Sequence, residues 1–521
     1  MSKQSIMACL KKNENGVPSL YVDGKPYLIF GGELHNSSAS SLQYMEKCVW
    51  PYLRGMHLNT VLLPVSWESL EPQDGCYDDT LVKGLLAQAH RENVKLIILW
   101  FGLWKNYESI YVPEWVKTDT RKFFRAIRSN ASATNIISPF CEEAVERDRQ
   151  AFCHLMKCIK EVDRENTVIM VQIENEMGIM DSERDFSAAA ETAFAEVVPE
   201  DVAAKFSVTG TWEEAFGEKS CEYFMAYYYA KAVERIAAAG KKIYPLPMYV
   251  NAWIEKHPLR AGAGYPSGGP VASMIPMWQL AAPSIDLCAP DIYVQAFRDV
   301  CENFSVHGNP LFIPETRRDA VSVSNVLYVF GKLNGLGFSP FGIEDFLKKQ
   351  VENMGKEQLA DLNISSDAFN DRETASYLSR SYEILSHIQD KLVAFRGSDR
   401  MTAFLKQGSA ETGCIIAMDD FDLQLDYISG MDCKTGSGGI IFREDNGFYI
   451  IGCNVKMKIL PKAGRRAPMG ILRYEEGEFI KGEWKRGRIL NGDEILHSTN
   501  AVLGPLKNMP ECRFVKVYER I

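Results

Sequence analysis

Eight short apolar runs punctuate the first two thirds of the chain, separated by longer amphipathic stretches. They are YLIFGGEL (27–34), NTVLLPV (59–65), KLIILWFG (95–102), TVIMVQIE (167–174), KIYPLPMYVN (242–251), IDLCAPDIY (285–293), PLFIPE (310–315) and GLGFSPFGIE (335–344). Each is too short for a whole helix and too continuously apolar for a strand with one wet face. The pattern predicts parallel strands buried on both faces. Helical periodicity fills the intervals, as in SSLQYMEKCVWPYLRGM (40–56), TLVKGLLAQAHRENV (80–94), EEAVERDRQAFCHLMKCIKEVD (142–163) and YFMAYYYAKAVERIAAAGK (223–241). Strands alternating with helices predict an α/β fold, a (β/α)8 TIM barrel, with a doubly wound sheet as the alternative. The polar residues gather at the C-terminal ends of the runs, where barrel active sites lie, although open sheets also bind ligands beyond their strand ends.

Beyond residue 345 the pattern changes. A helical stretch, RETASYLSRSYEILSHIQDKLVAF (372–395), precedes strand-like pieces: CIIAM (414–418), GGIIFRED (438–445), GFYIIGCNVKMKIL (447–460) and MGILRYEEGEFI (469–480). Gly, Asp and Asn punctuate them, as in an all-β module. The expected organisation is a catalytic barrel over 1–345, a helical connector packed on it over 346–397, and a smaller C-terminal all-β, sandwich-like domain over 398–521. That domain shows no carboxylate pair and is expected to carry no chemistry. Its loop KAGRRAPMG (462–470) is the one candidate to reach a pocket, through Arg465 and Arg466, against the plainer reading of two solvated side chains.

Composition narrows the function classes. With 521 residues the chain can hold a barrel and an accessory module, and its formal net charge of -10 argues against a nucleic-acid binder, which needs clustered Lys and Arg. The 13 Cys are scattered without a CxxC pair; Cys153, His154 and Cys158 read as buried helix side chains, not as a metal site. No GxGxxG or GxxxxGK[ST] appears, which leaves nucleotide chemistry without a motif. The first residues lack the apolar run of a secretion signal, and no stretch approaches the roughly 20 apolar residues of a membrane span. The expectation is a cytoplasmic protein with a neutral or uncharged substrate, no nucleic-acid or membrane partner, no metal and no cofactor. Homo-oligomerisation stays open.

Two strand ends carry the candidate chemistry. Val171-Gln172-Ile173-Glu174-Asn175-Glu176-Met177-Gly178 ends an apolar run in two carboxylates flanking an amide, followed by a Gly turn. Strand alternation gives Glu174 and Glu176 one parity, unless the strand has ended. Phe312-Ile313-Pro314-Glu315-Thr316-Arg317-Arg318 ends a second run in Glu, and Arg317 or Arg318 is expected to hold Glu315 ionised. The plain alternatives are a solvated strand end and a surface ion pair. On the run count these are strands four and seven, which lie across a barrel rim from each other. A glycosidase needs such a pair, one carboxylic acid to protonate the leaving oxygen and one carboxylate to attack or to activate water. Trp67, Trp100, Trp104, Trp115, Trp253, Tyr293 and Phe338 fall near strand ends, where rings stack on sugars, although each alone reads as well as core. Glu33 and His35 follow the first run and divide between orienting a sugar and satisfying the core.

NTVLLPVSWESLEPQDGCYD (59–78) followed by VQIENEMG resembles the clan A β-galactosidases, especially glycoside hydrolase family 35 and more distantly family 42. The resemblance covers about residues 20–345. It implies Glu176 as acid/base, Glu315 as nucleophile, Asn175 and Glu174 against the glycone, and Glu71 helping to bind it. Trp67, Trp100, Trp253, Tyr293 and Phe338, with Glu33 and His35, complete the expected substrate-binding set. The chain departs from the family in Met177, where Tyr is usual, in GGELHNSS (31–38), and in ending in one small β module, so it resembles a distant intracellular bacterial branch. The implied activity is a retaining, exo-acting β-galactosidase. The alternatives are the same chemistry on a β-glucoside, α-L-arabinopyranoside or β-mannoside, or a non-catalytic carbohydrate-binding protein.

Overall fold

The computed structural model describes residues 7–519 apart from 257, 349–358, 360–363, 365–373, 431–434, 445–446, 464–468, 491–494, 497–499 and 504–508. Arg465 and Arg466 lie outside the described residues. Eight parallel strands close into a barrel: β1 (Ile29–Glu33), β2 (Thr60–Ser66), β3 (Lys95–Lys105), β4 (Val168–Asn175), β5 (Met248–Ala252), β6 (Leu287–Ile292), β7 (Ile313–Thr316) and β8 (Gly337–Pro340). The last strand pairs with the first, Gly337 opposite Ile29 and Phe338 opposite Phe30, which removes the doubly wound alternative. Every residue of β2 and β4 is buried. Inward side chains fill the barrel and outward ones meet helices, which is why the runs read as continuously apolar.

A helix follows each strand. The longest, Glu142–Val162 and Ser220–Ile243, cover β3 and β4. The fifth run is strand only from Met248, because the helix continues to Ile243 and Pro245 and Pro247 lack the N–H a ladder requires. The connector supplies the helix that follows β8, Thr374–His387. Its Tyr382 hydroxyl lies 2.8 Å from the carbonyls of both Gly31 and Phe338 and so clamps the β1–β8 seam. A small antiparallel sheet, Cys9–Lys12, Pro18–Val22 and Lys25–Tyr27, lies at the N-terminal ends of β2 and β3, where the Tyr27 hydroxyl donates to the Asn59 carbonyl at 2.9 Å.

The C-terminal module is two antiparallel sheets, one of six strands and one of five. Along Gly438–Glu444, Ile441 enters the core shared by the two sheets while Ile440 and Phe442 face the barrel's helices. The six-stranded sheet is therefore buried on both faces along this strand, though not at its edge strand Glu483–Ile489, and joins the module to the barrel.

Candidate active site

The end of β4 bends sharply. Glu174 has φ 60° and Glu176 φ 46°, a left-handed conformation rare for residues other than Gly, and Gly178 follows at 142°. Such residues cost about 1–3 kcal/mol each and persist where neighbours over-determine them. Here the neighbours are identifiable. The Trp104 N–H donates to Glu174 Oε2 at 2.7 Å, the Glu176 N–H to Asn251 Oδ1 at 3.1 Å, and the Tyr107 N–H to the Glu176 carbonyl at 3.0 Å. The Tyr229 hydroxyl holds the Gly178 carbonyl at 3.1 Å. The bend breaks the parity expected of the two glutamates. Glu174 turns into the interior, whereas Glu176 lines a pocket at the barrel mouth.

Glu315 faces Glu176 across that pocket from β7, with Asp291 of β6 beside it, and one oxygen of each carboxyl lies within 4.8 Å of the others. Asp291 pairs in register with Glu315, and its Oδ2 accepts from Asn251 Nδ2 at 2.7 Å. Asn251 thereby fixes the backbone of Glu176 and the carboxyl of Asp291 together. The Tyr293 hydroxyl donates a short hydrogen bond to Glu315 Oε1. Burial, then the charge of Glu176, pushes Glu315 up to about 7, while Lys105 and Tyr293 pull it down. Burial and the charge of Glu315 push Asp291 and Glu33 far above the ordinary carboxylate range. Trp253, Ile254, Phe341 and Ile364 give the mouth its apolar walls, with Asn36 and Asn106 between them.

The structure sorts the expected site residues into two groups. Glu176, Glu315, Trp253 and Tyr293 line the pocket together. Glu33, His35, Trp67, Glu71, Trp100, Glu174, Asn175 and Phe338 do not. Trp100 points outward onto Phe152, with rings 5.9 Å apart, and its Nε1 donates to Asp148 at 2.7 Å. Phe338 packs on Phe297 of the outer layer. The Glu71 carboxylate accepts from Trp67 Nε1 and the Gly75 N–H, both at 2.8 Å, and so ties its own loop. Asn175 is fully buried, with Oδ1 on Lys105 Nζ at 2.9 Å. Glu33 is buried, and among the described residues no donor meets either of its oxygens. His35 stands at the rim, Nε2 2.5 Å from Asp345 and ring edge-on to Phe341 at 5.1 Å.

Arg317 and Arg318 do not do what their position suggests. Arg317 binds Asp319 at 2.7 Å and Arg318 binds Asp345 at 2.9 Å, so each is matched by its own carboxylate. Neither lines the pocket, and among the described residues the cation that chiefly pulls Glu315 down is Lys105. Sequence reasoning missed Lys105, Asn251 and Asp291. The usable signal was a polar residue inside or just past an otherwise apolar run, as in PDIY and MYVN.

Residues 19–245 match the model of glycosyl hydrolases family 35, and residues 378–501 match a domain of unknown function, DUF5597. No curated protein sequence matches the chain. Among solved structures, a β-galactosidase from the psychrophilic Marinomonas ef1 superposes with a TM-score of 0.47 at 11% identity, covering 70% of this chain and 61% of that one. The catalytic domain of a β-amylase from Paenibacillus polymyxa gives 0.48 at 11% identity, over 65% of this chain and 98% of that one. A β-mannanase from the blue mussel Mytilus edulis gives 0.40 at 14% identity, over 70% and 98%. The chain thus spans about 61% of the length of the first of these. The family 35 match covers the first part of the barrel, residues 19–245, and is less than half of the chain.

Proposed function

We propose that this chain is a glycoside hydrolase, a retaining, exo-acting β-galactosidase working by double displacement, with Glu315 as nucleophile and Glu176 as acid/base. The observation that carries the reading is the separation of the two carboxyls, whose nearest oxygens lie within 4.8 Å. Retaining enzymes hold the pair about 5–5.5 Å apart, whereas inverting ones leave about 6.5–9.5 Å for a water. The Tyr293 hydrogen bond and the Lys105 charge favour the ionised form of Glu315, as a nucleophile needs. Glu176 gives its proton to the leaving oxygen while Glu315 bonds to the anomeric carbon. Water, deprotonated by Glu176, then releases the sugar with its configuration retained.

Galactose as the glycone rests on the resemblance of the 59–78 segment and the 171–178 octet to family 35. A panel of nitrophenyl glycosides tests it: β-D-galactoside, β-D-glucoside, α-L-arabinopyranoside and β-D-mannoside. The highest kcat/KM is expected on the galactoside. Preference for another member moves the glycone and leaves the chemistry, and no turnover on any of them removes both.

A further inference from the structure

Four buried carboxyls, Glu33, Glu176, Asp291 and Glu315, surround the reaction centre. Double displacement needs only one negative charge among them at a time. A buried cation, Lys105, lines the same pocket and is 4% exposed at the last residue of β3. Its Nζ donates to Asn175 Oδ1 at 2.9 Å and, in a short contact, to Asn106 Oδ1, and it lies 5.1 Å from the centre of the Phe101 ring. None of these partners is charged. An ammonium taken out of water costs several kcal/mol even after relaxation, on the order of what only an opposite charge nearby offsets. The opposite charge available to Lys105 is the pocket's carboxylate.

We propose that Lys105 is the counter-charge of both half-reactions, a positioning residue whose ammonium balances the single negative charge as it passes from Glu315 to Glu176 and back. The inference rests on the retaining mechanism above. In the first step the Glu315 oxygen bonds to the anomeric carbon, the bond to the leaving oxygen breaks, and the Glu176 proton goes to that oxygen. The negative charge leaves Glu315, now an ester, and appears on Glu176. In the second step water gives a proton to Glu176 and its oxygen to the anomeric carbon, the ester bond breaks, and the charge returns to Glu315. With Lys105 in place the one carboxylate is matched by one ammonium before and after each step. Its position serves both ends: Nζ holds Asn175, the residue before Glu176, and its charge reaches Glu315 and Glu33. A neutral side chain there leaves an uncompensated carboxylate in a water-poor cavity in every state.

The groups facing Glu315 come from five strands or strand ends: Glu33 from β1, Lys105 from β3, Glu176 after β4, Tyr249 from β5, and Asp291 and Tyr293 from β6 and its end. Of these only Lys105 favours ionisation through its charge. Lys105→Met and Lys105→Gln are therefore expected to move the acid limb of the kcat/KM–pH profile upward by about 1–2 pH units, in the range an opposite charge at short distance commonly shifts a carboxyl. Lys105→Arg, which keeps the charge, is expected to leave the midpoint near its wild-type position. Carbon-13 titration of the Glu315 carboxyl in the resting protein, assigned through Glu315→Gln, reads the same shift without turnover. Lys105→Met or Lys105→Gln protein that is folded and shows an unmoved Glu315 midpoint overturns the proposal. A wild-type protein without turnover on any glycoside defeats the functional reading instead, and the carbon-13 titration then still decides whether Lys105 sets the charge of Glu315.

Discussion

As the proposed nucleophile, Glu315 would work near the limit of what that role tolerates. Burial and the neighbouring Glu176 push it up to about 7, so a folded-state value above the ordinary 4.5 means that it is protonated, and inactive, at mildly acid pH. In the active form Glu176 carries its proton and adds no charge, so the acid limb of kcat/KM is expected between the ordinary 4.5 and about 7, and a limb at or below about 4.5 would contradict this. Tyr293→Phe removes the hydrogen bond that favours the ionised form, so its acid limb is expected to move to higher pH. A loss approaching tenfold in kcat/KM is expected at pH values below the limb, since there a limb displaced by about one pH unit changes the ionised fraction about tenfold. An unshifted limb in Tyr293→Phe would show that the bond has no electrostatic role. At this scale the sequence was partly legible. The two glutamates stood out because each ends an apolar run. The groups that tune Glu315 did not, because they come from other strands. Arg317 and Arg318 were credited for being adjacent in sequence, and adjacency along a turning chain says little about proximity in space.

The bend that aims Glu176 belongs to an element, not to one residue. Behind it lies a knot of three segments. Asp148, on the helix Glu142–Val162, accepts from Trp100 Nε1 at 2.7 Å and from the Leu103 N–H at 3.0 Å. Glu174, on β4, accepts from the Trp104 N–H at 2.7 Å. Burial, then the charge of Asp148, pushes Glu174 far above the ordinary carboxylate range. Gly102 sits where they meet. A Cβ there would lie 2.4 Å from Asp148 Oδ2, 2.5 Å from Trp100 Nε1 and 2.6 Å from Glu174 Oε1. Gly102→Ala is therefore expected to cost about 1–3 kcal/mol of stability, as overpacked cores do, and to lower kcat by displacing Glu176. Denaturant melts and turnover of the same preparation measure both, and a variant with wild-type values for each would show the knot to be slack. Strand existence was legible because two covered faces demand a continuously apolar run. The extension of β3 to Lys105 was not, because the residues after Gly102 look like a loop until Trp104 finds Glu174.

The whole molecule is one barrel braced by its C-terminal third. The connector supplies the helix after β8, and its Tyr382 clamps the seam where the barrel closes. The six-stranded sheet then packs Ile440, Phe442, Tyr449 and Phe514 against the barrel side, close enough that a Cβ on Gly331 would lie 2.8 Å from Ile440 Cγ1. Each such side chain is worth roughly 1.5–3 kcal/mol when buried. A chain truncated after residue 397 is thus expected to lose solubility or most of its cooperative unfolding transition, measured by calorimetry, while a truncated barrel with wild-type melting would make the module an independent appendage. The change of pattern after residue 345 announced this module, but nothing in the sequence distinguished a sheet with one wet face from one buried on both.

That Glu315 attacks and Glu176 trades the proton is tested most directly by the anomer formed when azide rescues each variant. Glu315→Gly with azide should release the α-linked glycosyl azide, because azide enters from the face the nucleophile has vacated. Glu176→Ala, on a substrate with an activated leaving group, should release the β-azide, because azide then attacks an intact glycosyl-enzyme. Exchanged anomers would reverse the two roles, and a Glu315→Gly protein that hydrolyses as well as the wild type would contradict double displacement at this pair altogether.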